Sequence, residues 1–244
     1  MSDIQYHIMP DNRRIAFRHA PGTGPAIVFL PGYMSDMAGG KATALFDWCK
    51  ATGRACLLLD YSGCGASSGD FADGTLSGWR DEVLALIEAQ LSGRVVIVGS
   101  SMGGWLMLLV ARALGEDRLA GLVGIAAAPD FSQWGYSEAH KAVLRAGKTI
   151  YNDSEYGYDP MPTHAQFWHD AQAQTLLDGT IALTCPVRLI HGQDDTDVPP
   201  ETSARLARAL ISQDVHIIYV KGGDHRLSRE GDIMLLKRIV ASFV

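Results

Sequence analysis

Short, almost wholly apolar runs alternate with helical segments along most of this chain, and that alternation restricts the fold more than any other feature. The runs lie at residues 26–30, 55–59, 95–98, 119–126, 187–190 and 215–220. Apolar residues at helical spacing occupy 41–52, 77–91, 102–114, 201–210 and 229–243, with Ser77 placed as an N-cap and Gly115 just past the third segment. A strand apolar on both sides must be covered on both faces, and strands joined through helical crossovers run parallel. Those crossovers are expected to be right-handed. The expected class is therefore α/β, a mostly parallel central sheet with helices on both faces. Ahead of it, residues 4–7 and 15–18 flank Pro10-Asp11-Asn12-Arg13, which reads as the turn of an antiparallel hairpin.

One stretch, about 129–184, breaks the rhythm and shows no clear strand. It is too long for an ordinary connection and carries Phe131, Trp134, Tyr136, Tyr151, Tyr156, Tyr158, Phe167 and Trp168. It reads as a mainly helical lid inserted over the C-terminal edge of the sheet, within a single domain spanning 1–244. A length of 244 residues with 47% hydrophobic content suits one domain with a full core. A net charge of −6 argues against a nucleic-acid or anionic-membrane surface. The most apolar unbroken run, 105–111, is far too short for a transmembrane segment. Met1-Ser2-Asp3-Ile4-Gln5-Tyr6 has neither a basic nor an apolar leader region, so no secretory signal is expected. Cys49, Cys56, Cys64 and Cys185 are scattered without a CxxC pair, which suits free thiols in a reducing compartment. A cytoplasmic location is expected; oligomeric state leaves no mark on the sequence.

The chemistry begins at Gly99-Ser100-Ser101-Met102-Gly103, which follows an apolar strand and opens an apolar helix. A serine nucleophile on such a turn needs neighbours without side chains, and the helix N-terminus then aims the Met102 N–H at a developing oxyanion. Gly104 allows the helix to lie close to the sheet. Ser101 is favoured over Ser100 because it is centred between the two glycines. A serine hydroxyl also needs an imidazole base steered by a carboxylate, and in this strand–turn–helix setting the chain order is serine, acid, histidine. His191-Gly192-Gln193-Asp194-Asp195-Thr196-Asp197 follows the strand at 187–190. Asp195 is the preferred acid, with Asp194 and Asp197 as the competing carboxylates. Such crowding is expected to raise at least one carboxyl pKa, so the other two should face solvent or cap the next helix. Lys221-Gly222-Gly223-Asp224-His225 follows the last strand, and His225 is the expected base.

Leu30-Pro31-Gly32-Tyr33-Met34 ends the first central strand, where the Tyr33 backbone N–H can serve as second oxyanion donor and its ring as a wall of the acyl pocket. Asp60-Tyr61-Ser62-Gly63-Cys64-Gly65 reads as a structural turn with Asp60 bonding its amides. His191 reads as structural. His164 and His169 are five apart with no completing ligands, so no metal site is expected. Trp105, Phe131 and Trp134 are the pocket candidates.

Together these motifs resemble the α/β-hydrolase superfamily over essentially the whole chain. The segments 29–35, 60–65, 99–106 and 224–226 are most similar to the abhydrolase-domain group of mitochondrial palmitoyl-protein thioesterases, also described as mycophenolic acid acyl-glucuronide esterases, and their bacterial relatives. The resemblance implies the triad Ser101, Asp195 and His225, and a serine esterase or thioesterase acting through an acyl-enzyme without cofactor. Its substrate would be a small-molecule ester or thioester, or an acylated protein. No transit extension is read ahead of the first hairpin, so a mitochondrial location is not expected. Dehalogenase and epoxide-hydrolase chemistry is disfavoured, since those enzymes place Asp where Ser101 stands. An acyltransferase or peptidase on the same triad, and a non-catalytic ligand-binding protein of this fold, are the competing readings.

Overall fold

The computed structural model describes residues 4–152 and 160–243; Tyr156 and Tyr158 lie outside the described residues. The chain opens with β1 (Gln5–Ile8) and β2 (Arg14–Ala20), paired antiparallel. Asn12, at φ 67°, turns the hairpin, with its N–H donating to the Met9 carbonyl at 2.9 Å. Then follow β3 (Thr23–Leu30), α1 (Gly40–Thr52), β4 (Arg54–Leu59), α2 (Leu76–Gln90), β5 (Val95–Ser100), α3 (Met102–Leu114) and β6 (Leu119–Ile125). The insertion contributes α4 (Phe131–Trp134), α5 (Glu138–Arg145), β7 (Ile150–Asn152), β8 (Met161–Thr163) and α6 (Ala165–Gln172). The chain closes with β9 (Val187–Gly192), α7 (Glu201–Ala209), β10 (Val215–Val220) and α8 (Glu230–Ala241).

Eight strands form one sheet in the order β1-β2-β4-β3-β5-β6-β9-β10. From β4 to β10 every pairing is parallel; β2 runs antiparallel to both β1 and β4. Alternate side chains of the central strands enter two separate cores. Val28, Leu30, Leu57, Val95 and Ile97 join α2, α3 and α7, while Ile27, Phe29, Leu58, Val96 and Val98 join α1 and α8. That two-sided burial is why these strands read as continuous apolar runs. Each fully buried Leu, Ile or Val contributes about 1.5–3 kcal/mol.

Two expectations are corrected. Ser77 does not cap α2; the N-cap is Thr75, whose Oγ1 accepts from the Gly78 N–H at 3.0 Å. Leu76 is fully buried and belongs to the first turn, so the helix starts two residues earlier than the pattern indicates. The Ser77 hydroxyl instead donates to Asp170 Oδ1 on α6 at 2.5 Å. The insertion is mainly helical as expected, but it does hold strands where none was clear in the sequence: β7 and β8 pair antiparallel through Ile150–Thr163, Tyr151–Pro162 and Asn152–Met161. Strands of three residues are too short to show alternation in sequence.

Glycine contacts set how closely α3 lies on the sheet. A Cβ at Gly103 would stand 2.2 Å from the Leu30 carbonyl oxygen, and one at Gly99 would stand 2.2 Å from the Gly103 oxygen. Both obstacles are backbone, so they yield only if strand and helix move apart. Gly103→Ala is therefore expected to lower the unfolding free energy by about 1–3 kcal/mol in urea titrations. Gly40→Ala, at a helix start with nothing within 4 Å, is expected to change it by less than about 0.5 kcal/mol.

Candidate active site

Ser101 sits between the last residue of β5 and the first of α3, at φ 54° and ψ −120°. This is a costly backbone for a residue with a Cβ, and it persists only where the surroundings enforce it. Here the Ser101 N–H donates to the Ile125 carbonyl at 2.9 Å, and the Ser101 carbonyl accepts from Ala128 N–H at 3.0 Å. Both bonds anchor the turn to the end of β6. The turn lifts the Ser101 hydroxyl off the sheet edge and leaves the Met102 N–H as the first amide of α3.

The three polar side chains expected from separate loops meet in one line. His225 Nε2 lies 3.1 Å from Ser101 Oγ, and His225 Nδ1 lies 2.9 Å from Asp195 Oδ2. Since the carboxylate can only accept, Nδ1 carries the proton and Nε2 accepts from the serine hydroxyl. The two loops are locked together. A Cβ at Gly192 would stand 2.2 Å from the Gly223 carbonyl oxygen, which itself accepts from the Asp194 N–H at 2.9 Å. Asp194 and Asp197 are exposed, whereas Asp195 is buried.

Asp195 is fully supplied with donors. Its Oδ1 accepts from the amides of Asp197 and Val198 at 3.0 and 2.9 Å. Its Oδ2 takes His225 and also His191, whose Nε2 is 3.2 Å away. Burial alone would raise this carboxyl. The hydrogen bonds from His191 and His225, the charge of His225 and the Val198 amide outweigh burial and hold it well below the usual carboxylate range. His191 was expected to be structural. It is fully buried and pinned by Ser203 Oγ at 2.7 Å and the Val198 carbonyl at 3.0 Å, yet it also shares the oxygen that steers His225. Its spacing of four from Asp195 was the only sequence signal for that contact.

The loop after β3 faces Ser101 from the opposite flank. A Cβ at Gly32 would stand 3.4 Å from Ser101 Cβ. Tyr61 donates its hydroxyl to the Pro31 carbonyl at 3.0 Å. Asp60 accepts from the amides of Met37 at 2.7 Å and Ala66 at 2.8 Å, which is the turn-holding role expected of it. Among the described residues, the Tyr33 and Met102 amides donate to no protein acceptor, and both belong to segments bordering Ser101.

Of the three pocket candidates, two come together. Trp105 and Phe131 pair edge-to-face at 5.7 Å between centroids, and the Trp105 indole N–H donates to the Gln174 carbonyl at 3.0 Å. Trp134 instead turns its indole N–H onto the Pro129 carbonyl at 2.9 Å and makes no ring pair with that cluster among the described residues. Sequence reasoning missed Phe71, Trp79 and Phe167, all of which surround Tyr33. Trp79 falls within the apolar helical pattern of 77–91, and no linear pattern joins it to Tyr33, Phe71 and Phe167. His164 bonds Thr149 Oγ1 at 3.0 Å through Nδ1, and no metal-holding group of three His, Cys, Asp or Glu occurs among the described residues.

Residues 27–232 match the model of the alpha/beta hydrolase family. The chain is similar to mitochondrial palmitoyl-protein thioesterase ABHD10 of mouse, with 40% identity over 230 residues, 91% of this chain and 76% of that protein. The human counterpart is 39% identical over 233 residues, covering 93% and 75% of the respective chains. Among solved structures, a putative hydrolase from Agrobacterium vitis S4 superposes with a TM-score of 0.91 at 33% identity over 99% of both chains. Mouse alpha/beta hydrolase domain-containing protein 10 superposes with a TM-score of 0.90 at 36% identity over 99% and 98%. This chain is accordingly a hydrolase enzyme and belongs to the alpha/beta hydrolase family.

Proposed function

We propose that this chain cleaves carboxylic esters or thioesters through Ser101, His225 and Asp195, by way of an acyl-enzyme. The observation that carries the reading is the continuous line from Ser101 Oγ through His225 to Asp195, with links of 3.1 and 2.9 Å. A hydroxyl so placed loses its proton to Nε2 as it attacks a carbonyl carbon. The new tetrahedral oxyanion rests on the Met102 and Tyr33 amides. Collapse of that intermediate expels the alcohol or thiol, which takes the proton from His225. Water then attacks the acyl-serine with His225 again as base, releasing the carboxylic acid and restoring the serine. No cofactor enters these steps.

Thioesters of acylated proteins are one substrate class, on the strength of relatives named palmitoyl-protein thioesterases; small carboxylic esters such as acyl glucuronides are the other. In this reading 129–184 acts as the lid of a single domain. It is tied to α2 by Asp170, whose carboxylate accepts from Ser77 N–H and Oγ–H, and is braced internally by Asp130, which accepts from the amides of Leu176 and Leu177. Four buried free thiols fit a reducing compartment, the cytoplasm in our reading. No helix among the described residues is long and apolar enough to cross a membrane.

Ser101→Ala is expected to abolish both fluorophosphonate labelling and turnover of p-nitrophenyl esters, while retaining the wild-type urea midpoint. Turnover unchanged in that variant would rule out the assignment. Asp195→Asn is expected to lower kcat by about 10³–10⁴ with a smaller effect on KM, because the amide favours the wrong imidazole tautomer. The same variant has a predicted stability signature. The folded state holds the Asp195 carboxyl below its unfolded value. Its contribution is therefore present in full above about pH 4 and is lost as pH falls through the folded-state value. The gap in urea midpoint between wild type and Asp195→Asn should be widest at neutral pH and shrink toward pH ~3.

A further inference from the structure

We propose that the Tyr33 side chain is the end wall of the acyl subsite, so that this enzyme selects short acyl groups rather than the palmitoyl group its relatives are named for; the inference rests on the ester or thioester reading above. The direction of the acyl group follows from proton transfer and strand order. His225 must protonate the leaving group, so the leaving group lies on the His225 side of Ser101. The order β3-β5-β6-β9-β10 puts the loop bearing His225 on one side of β5 and the loop bearing Tyr33 on the other. A carbonyl carbon attacked by Ser101 Oγ, with its oxygen on the Tyr33 and Met102 amides and its leaving group toward His225, has its acyl substituent facing Tyr33.

The space on that side is already filled. The Tyr33 ring lies 5.0 Å from Phe71, 5.0 Å from Phe167, 6.1 Å from Phe131 and 6.5 Å from Trp79, centroid to centroid. These are ring contact distances, so no methylene chain passes between Tyr33 and its neighbours unless rings move apart. Phe167 and Trp79 are each only 1% exposed, which removes solvent as an escape route for their rings. The Tyr33 hydroxyl donates to the Pro162 carbonyl at 3.0 Å, which fixes the ring to the insertion. Tyr33 thus joins the oxyanion loop to Phe131, Pro162 and Phe167 of the insertion. An acyl chain longer than the gap between Ser101 and this ring must displace it.

The test is a chain-length series of p-nitrophenyl esters from acetate to palmitate, with active enzyme counted by fluorophosphonate labelling. Wild type is expected to show its highest kcat/KM on acetate to butyrate and to lose about tenfold or more by octanoate. Tyr33→Ala is expected to move the optimum to longer chains. Phe71→Ala, outside the triad and the oxyanion loop, gives Tyr33 room to turn and is expected to move it the same way by less, so the proposal stays testable if Tyr33→Ala misfolds. Tyr33→Phe keeps the ring and is expected to keep the short-chain preference. A wild-type optimum at palmitate, or identical profiles in wild type, Tyr33→Ala and Phe71→Ala, would overturn the proposal while leaving ester hydrolysis intact. Absence of both labelling and turnover at every chain length in wild type would overturn the hydrolase mechanism itself, and this inference with it.

Discussion

Helix α3 can approach the sheet as it does only because Gly99, Gly103 and Gly104 present no side chains at the contact. Cβ atoms at Gly103 and Gly104 would stand 2.2 Å from the Leu30 oxygen and 2.4 Å from the Ala127 Cβ. That approach forces the chain at Ser101 into the left-handed region, φ 54°. It also sets the distance from the Ser101 turn to the loop at 31–33, because the Gly103 contact is made against Leu30 and Pro31. Ser101, the first amide of α3 and the amide of Tyr33 are therefore placed by one packing contact. Widening it by the size of a methyl group would disturb all three together.

The second constraint is the buried carboxylate of Asp195. A charge out of water is costly unless its lone pairs are occupied. Here two backbone amides and two imidazoles occupy them. Two of those donors come from the loop's own turn, so the carboxylate is oriented without relying on His225. His191, fixed by Ser203, adds a donor from within the same loop. The surplus of donors over burial keeps the group ionised, which the imidazole needs if its Nδ1–H is to be held and its positive form stabilised.

The insertion is held over the sheet by a few polar ties and one aromatic cluster. Asp170 spends its carboxylate on Ser77 of α2, while Asp130 braces the insertion from within on the amides of Leu176 and Leu177, bonds that fix chain direction more than they add stability. Between them, Phe131 and Phe167 meet Tyr33 and Trp79 from the sheet side.

Much of this architecture was legible from neighbouring residues alone. Two-sided apolar runs identified the central strands, glycines at 99 and 103 identified the turn, and the loops after β9 and β10 identified Asp195 and His225. Those features are local: a backbone too tight for a side chain, a strand with no polar face, a carboxylate and an imidazole at strand ends. Where two local solutions were equivalent, tertiary packing chose between them. Thr75 rather than Ser77 caps α2 because Leu76 is needed in the core. Trp105 and Phe131 meet while Trp134 turns away, because packing directions around α4 carry no sequence period. Tyr33 reaches Phe71 and Phe167 only because the fold brings their segments together. The sequence by itself thus determined the fold class and singled out Ser101, Asp195 and His225 as the side chains that the fold would have to bring together. The tertiary structure decided the distances among them and the shape of the acyl side, since contacts between residues 33, 71 and 167 depend on how distant segments stack and not on any residue's immediate neighbours.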